Sequence, residues 1–223
     1  MRTLLLGIIA FSLFSCADRT VYKSPDFSEK SSRHQTIAIL PLKITQTGHM
    51  SKKETPEDIK RANEDWGYVF QEGLHSHILR QTNRNKKGQV VSFQAIQKTN
   101  AILKEKGFTI DELYDQQPEE LAQLLGVDAV MMTTLEKDKN FSDGVAYGVA
   151  AGRMILNSIS KSPVGLPSAN ASDINMNCYL YDAKDSKLLW KTYRAGGADL
   201  PANVDGQIQF YSNWIAKKLP YRS

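Results

Sequence analysis

Apolar positions recur along this chain with three different spacings. Thr36-Ile-Ala-Ile-Leu-Pro-Leu42 is a continuous apolar run rich in β-branched residues, which predicts a strand buried on both faces and ended by Pro41. Ile59, Ala62, Trp66, Val69, Phe70, Leu74 and Ile78 follow at helical spacing. The stripe sits behind Thr55-Pro56-Glu57-Asp58, an N-cap, a first-turn proline and a capping-box acid. Gly67 and Gly73 interrupt it, so a bend or break is expected there. A strand at Val90-Val-Ser-Phe93 leads to a helix over about 94–106, closed by Gly107. Thr109-Ile-Asp-Glu112 repeats the capping box, and a helix over 118–125 stops at Gly126, where a left-handed cap favours glycine. Val127 to Leu135 predicts another strand. Ile174 to Tyr181 alternates cleanly, with Ile174, Met176, Cys178 and Leu180 on one side and Asn175, Asn177, Tyr179 and Tyr181 on the other. A turn over 182–187, a strand at Leu188 to Tyr193 and a helix over about 201–219 complete the pattern. That helix carries Val204, Ile208, Tyr211, Ile215 and Leu219 on one face. The order predicts an α/β fold, one single-domain sandwich with a mixed sheet of about five strands flanked by helices.

The first residues carry a signal of another kind. Met1-Arg2 gives a positive start, Leu4 to Phe14 an apolar stretch, and Ser15-Cys16 a small residue before a thiol, the layout of a secretory signal peptide over 1–15. Crossing a bilayer takes about 20 apolar residues, and the chain turns polar at Asp18-Arg19 before reaching that length. Leu13-Phe14-Ser15-Cys16 resembles the lipobox of bacterial lipoproteins, in which the cysteine thiol is acylated after cleavage. The resemblance makes Cys16 the lipidation site, a carrier of palmitate-like chains. Ala17 stands where an inner-membrane retention signal would place Asp, which points to the lipid of the outer membrane. An ordinary signal peptide cut within 10–17, with Cys16 a plain thiol, is the other reading. Residues 16–35 hold Lys, Ser, Asp, Glu and Arg with little apolar material, so a flexible tether is expected, with the folded domain over 36–223.

Composition narrows the functional classes. Of 223 residues, 41% are hydrophobic and 23% charged, the balance of an ordinary globular protein. A net charge of +4 is too mild for a dedicated nucleic-acid binder, so no nucleic-acid partner is expected. The 2 cysteines cannot form a four-thiolate zinc site, and His75 and His77 point to different sides of a helix, so no metal is expected. There is no Gly-x-Ser-x-Gly elbow, no phosphate loop and no dinucleotide fingerprint. Neither a catalytic residue nor a cofactor is expected. Asp111-Glu112 and Glu119-Glu120 fall in first turns of helices, where capping and the helix dipole account for them.

Three motifs recur together: Ile39-Leu40-Pro41-Leu42, Leu125-Gly-Val-Asp-Ala-Val130 running into a strand, and Leu180-Tyr-Asp-Ala-Lys-Asp-Ser-Lys-Leu-Leu-Trp190 across a turn. In this order, behind a lipobox, they resemble the CsgG, LpoB and PelC group of periplasmic lipoproteins over roughly residues 36 to 219. The resemblance implies a domain similar to the N-terminal domain of TolB, acting without catalysis. Members of that group secrete curli subunits, activate a peptidoglycan synthase or assist polysaccharide export. Asp128 and the turn at 182–187 match group positions that shape the fold.

One stretch, near 142–172, has no place in a minimal sandwich. Gly144, Gly148 and Gly152 repeat every four residues and would form one smooth ridge on a helix, a surface that permits close approach. Tyr147, Met154, Ile155 and Ile159 beside them predict contact with a partner or a second copy, while a helix on its own sheet or a glycine-rich loop explains the same spacing. Arg153 argues against a lone bilayer-spanning helix, and residues 149–152 do not alternate as a membrane hairpin requires. No secretion pore is expected. The expectation is a non-catalytic outer-membrane lipoprotein that docks an envelope protein partner in an assembly or secretion system, alone or as a homo-oligomer. The alternatives are a regulator of a peptidoglycan synthase, which would need a long tether, and an envelope-polymer hydrolase.

Overall fold

A computed structural model describes residues 20–48, 55–82, 91–139, 172–196 and 204–221. β2 (Thr36–Ile39) and β3 (Lys43–Gly48) lie end to end along β5 (Ala129–Lys139), both parallel to it. Ile39 pairs with Met131 and Lys43 with Thr134, so Leu40, Pro41 and Leu42 stand opposite only Met132 and Thr133. The extra residue makes a bulge, and its proline has no N–H to give the ladder. Tyr114, on α4 (Ile110–Asp115), fills the gap. Its hydroxyl lies 2.9 Å from Pro41 O and 2.5 Å from Thr133 O, and accepts from Thr133 N at 2.9 Å. Burial holds the Tyr114 phenol well above its ordinary pKa, so it keeps its proton for the carbonyls. Tyr114→Phe keeps the volume and strands these backbone groups, and is expected to cost about 1–2 kcal/mol in a denaturant titration. An unchanged midpoint would mean that water takes over the hydroxyl's bonds.

β6 (Ser172–Asp182) is antiparallel to β5, β7 (Leu188–Gly196) to β6, and β1 (Val21–Lys23) to β7. β4 (Ser92–Phe93) closes the other side, parallel to β2, so the order is β1-β7-β6-β5-β2-β4 with β3 also on β5. The five expected strands are present, and β1 and β3 are additions. Each holds a single large aliphatic residue, too weak an apolar signal to stand out in sequence.

The expected tether over 16–35 needs correction from residue 20 onward. Val21 to Lys23 extend the sheet, and α1 (Phe27–Ser31) buries Phe27 against Tyr221 with ring centroids 5.5 Å apart. One buried aromatic ring and a short ladder suffice because they attach to an edge that is already folded. The composition of the segment is hydrophilic, but its few apolar residues fall where that edge can take them.

α2 (Pro56–Thr82) and α6 (Val204–Lys218) cover one face of the sheet. Phe70, Leu74 and Ile78 of α2 and Ile208, Tyr211 and Ile215 of α6 are buried with Ile37, Met131, Met176, Cys178 and Trp190. α2 runs through Gly67 and Gly73 without interruption, so the expected break is absent. α3 (Ile96–Glu105), α4 and α5 (Pro118–Leu125) close over Ala38, Leu40, Val130 and Met132 on the other face. The caps read from sequence hold: Asp58 N donates to Thr55 Oγ1 at 3.1 Å, Thr109 and Glu112 form a reciprocal capping box, and Gly126 ends α5 at φ 66°.

Candidate functional site

Cys16 and the glycine-segment residues Gly144, Tyr147, Gly148, Gly152, Met154, Ile155 and Ile159 lie outside the described residues. What the fold assembles is the outward side of β6. Ile174, Met176, Cys178 and Leu180 are buried under α2 and α6, as their alternation predicts. Asn175, Asn177 and Tyr179 therefore face the other way and acquire neighbours from three strands. Tyr179 stands opposite Lys191 of β7, and Lys191 opposite Tyr22 of β1. Asn177 stands opposite Tyr193, and Thr134 and Glu136 of β5 stand opposite Asn177 and Asn175.

Side-chain contacts hold this surface in place. The Tyr179 and Tyr181 rings stack with centroids 6.0 Å apart, and Lys191 Nζ lies 5.0 Å over the Tyr179 ring. A cation in that position contributes about 0.5–1 kcal/mol at an exposed site. The Tyr193 hydroxyl donates to Asn175 Oδ1 at 3.1 Å. The apolar cluster under α3, α4 and α5 ends at Met132 and Tyr181, and beyond it Tyr22 and Tyr193 are 47% and 39% exposed. Among the described residues no helix covers this part of the sheet. The exposed rings of Tyr22 and Tyr193 and the half-buried Tyr179 and Asn175 provide contact area and hydrogen bonds, while Asn177 between them is 9% exposed.

The chain enters the fold at the margin of this face. Thr20 O accepts from Tyr193 N at 2.9 Å and from Thr192 Oγ1 at 3.2 Å. At its other end the entering segment is fastened by His34, which is 5% exposed. His34 Nδ1 lies 2.5 Å from the Tyr221 hydroxyl and Nε2 lies 3.4 Å from Asp182 Oδ2. A neutral ring satisfies both, accepting from Tyr221 and donating to Asp182. Burial pushes the His34 pKa below its ordinary value, opposed by the Asp182 carboxylate. Lys187 pairs with Asp26 and Lys30 with Asp185, each at 2.5 Å, and Ser24 donates to Asp26. The Lys187 hydrogen bond, helped by Ser24, holds Asp26 down to about 2. These outer pairs are exposed and contribute little; the buried histidine is the stronger fastening. Asp128 and Asp182 serve the backbone, as expected of fold-shaping positions. Gln35 N and Thr36 N donate to Asp128 Oδ2 at 2.8 and 2.9 Å, and Lys184 N donates to Asp182 Oδ1 at 2.8 Å.

The remaining chemistry-bearing side chains have structural settings. Burial pushes the Cys178 thiol up to about 12, so it is a core residue with Thr133 Oγ1 donating to it at 3.4 Å. Burial also lowers His75 and His77. Glu112 belongs to its capping box, and Asp111 pairs with Lys43 at 3.5 Å. Among the described residues no group of three or more His, Cys, Asp or Glu is placed to hold a metal ion, and no helix is long and apolar enough to cross a membrane.

The alternation along β6 is legible in the sequence and accounts for four of the seven residues of this face. It set Asn175, Asn177, Tyr179 and Tyr181 outward, but not Lys191, Tyr193 and Tyr22. The first two were legible: Trp190 and Thr192 are buried and alternate with Lys191 and Tyr193. Tyr22 carries no such signal, because β1 is only 3 residues long.

No family model matches the chain, and no curated protein matches it. Among solved structures it is similar to the lipoprotein GNA1162 from Neisseria meningitidis, with 13% identity, 82% of this chain and 99% of that chain covered, and a TM-score of 0.37. It is also similar to the LpoB C-terminal domain from Salmonella enterica, with 9% identity, 78% and 94% covered, and a TM-score of 0.34. A third is the PelC dodecamer from Paraburkholderia phytofirmans, with 10% identity, 91% and 96% covered, and a TM-score of 0.43.

Proposed function

We propose that this chain is a non-catalytic lipoprotein of the outer membrane that docks a protein partner of an envelope assembly or secretion system on the open face of β1, β7 and β6. One observation carries the reading: the face begins where the anchor segment ends. Cys16 precedes Thr20 by four positions, and an extended chain spans at most about 3.6 Å per residue, so an acylated Cys16 lies within about 15 Å of the Thr20–Tyr193 junction. Acyl chains on the thiol then hold the face beside the bilayer, and a partner in the same layer meets it there. Tyrosines suit such a face, because they bury a large area while fixing few torsions. A second copy of the chain is the alternative occupant.

Chemical cross-linking in intact cells tests the proposal in two arms. Tyr22→Glu with Tyr193→Glu is expected to abolish the cross-linked partner band while the protein stays in the membrane fraction. Cys16→Ser is expected to release the protein from that fraction. An undiminished band in the tyrosine variant removes the face from the proposal, and Cys16→Ser protein that remains with the membrane removes the anchor.

A further inference from the structure

The β2–β3 edge of the sheet is capped one group at a time as far as Leu42, and beyond it no described residue pairs with the edge. Gln35 O accepts from Ser92 N at 2.7 Å, and Ile37 O accepts from Gln94 N at 2.8 Å. Ile39 O accepts from Gln71 Nε2 at 2.6 Å, and past the bulge Leu42 N donates to Gly67 O at 3.2 Å. There the capping stops. Because successive residues of a strand direct their backbone groups to opposite sides, the next outward groups belong to Ile44, Gln46 and Gly48. β3 pairs with β5 alone, and among the described residues no other backbone group bonds to this stretch.

A groove runs along that edge. It has a volume of about 360 Å3 between β3 and the starts of α2 and α4, and Ile44, Ile59 and Ile110 line it together with Lys60, Glu64 and Asp111. A ladder that no described residue pairs with, beside a groove with aliphatic positions, has a defined complement: main-chain hydrogen bonds supply affinity and alternate side chains supply specificity. Edge strands are ordinarily covered or kept very short, and this fold covers its own edge as far as Leu42.

We propose that β3 accepts an extended segment of a partner protein as an added strand, bonded to Ile44, Gln46 and Gly48, with an aliphatic side chain of that segment seated over Ile59 and Ile110. The partner is thus recognised as a strand with aliphatic residues at alternate positions. The chain's own opposite edge, β1, is 3 residues long and joined to the anchor segment, so it is a poor match for the 6 residues of β3. This goes beyond the docking reading, since β3 lies across β5 from the β1–β7–β6 face, and rests on it only for the existence of a partner; the edge is present whether or not Cys16 is acylated.

The test uses the full chain in detergent and a blocked synthetic heptapeptide, Lys-Val-Thr-Val-Thr-Val-Lys, with two analogues. Each analogue is N-methylated on alternate residues along one edge. At saturating peptide, amide exchange at Ile44, Gln46 and Gly48 is expected to slow about tenfold or more, while Lys43, Thr45 and Thr47 change little. One methylated analogue is expected to lose about tenfold or more in affinity and the other to bind as the parent does, because an added strand uses only one of its edges. Ile59→Glu, at a partly exposed helix position, is expected to weaken the parent peptide about tenfold. Absence of binding, equal binding by both analogues, or slowed exchange elsewhere overturns the proposal. So does slowed exchange at those three amides in a free chain that sediments as a dimer, since a second copy would then own the edge. Membrane fractionation of Cys16→Ser reports on the anchor and cross-linking of the tyrosine variant on the β6 face, and both leave this result untouched, so the two readings fail separately.

Discussion

Gly67→Ala is expected to lower the melting temperature by about 10 °C, the signature of roughly 3 kcal/mol in a chain of this size. A Cβ on Gly67 would meet the backbone carbonyl of Leu42 inside van der Waals contact, and Ile110 Cδ1 at 2.9 Å. The carbonyl cannot rotate away as a side-chain tip can, because it belongs to the bulge that joins β2 and β3. α2 and the strand approach closely here, with Leu42 N donating to Gly67 O at 3.2 Å. Gly73→Ala is the control. Its Cβ would meet Ile208 Cγ2 at 2.8 Å and Ser212 Oγ at 3.4 Å, both side-chain atoms. The clash there is softer, and alanine gains about 1 kcal/mol of helix propensity against it. Calorimetry that finds the two variants equally destabilised would show that helix packing gives way at both sites, and that the backbone approach at Gly67 is not rigid.

His34→Ala is expected to cost about 3 kcal/mol near neutral pH, because it takes a hydrogen-bond partner from two buried groups, the Asp182 carboxylate and the Tyr221 hydroxyl. The same residue gives stability a pH dependence of definite sign. Burial lowers its pKa in the fold from the ordinary 6.5, so the unfolded chain takes up the proton first. The stability it contributes is complete above pH 6.5 and is lost as the pH falls through that value toward the lowered one. Arg33 assists the lowering, while Asp182 and Asp128 oppose it. His75 and His77 act in the same direction but remain in both proteins, and Asp26, held down to about 2, titrates far below this window. Between pH 7 and pH 5 the parent is therefore expected to lose more stability than His34→Ala in parallel denaturant titrations. Equal losses would assign the acid sensitivity to the other histidines.

What could be read from the sequence follows from the range of each interaction. Caps at Thr55, Thr109 and Gly126 act over one turn, so the residues that make them are neighbours in the chain and the pattern is visible. The two faces of β6 are visible because burial repeats with a period of two. The purpose of Gly67 was not visible: a glycine within a helical stripe reads as a weak point, and only the position of Leu42 shows that the helix needs it for contact. β1 and α1 were hidden for a related reason. Their stability comes from β7, Asp182 and Tyr221, all distant in sequence, while their own composition resembles a solvated tail. The edge of β3 that no described residue pairs with was likewise beyond reach, since a strand's open side is defined by what fails to pair with it.

The closing rung of the β5–β6 ladder joins Lys139 to Ser172. The two ends of the connection between these residues are held side by side. Its length is therefore decoupled from the architecture, since doubling a loop between fixed ends costs only about 0.6 kcal/mol of closure entropy. A longer or shorter connection at this point is expected to leave every strand register as it is.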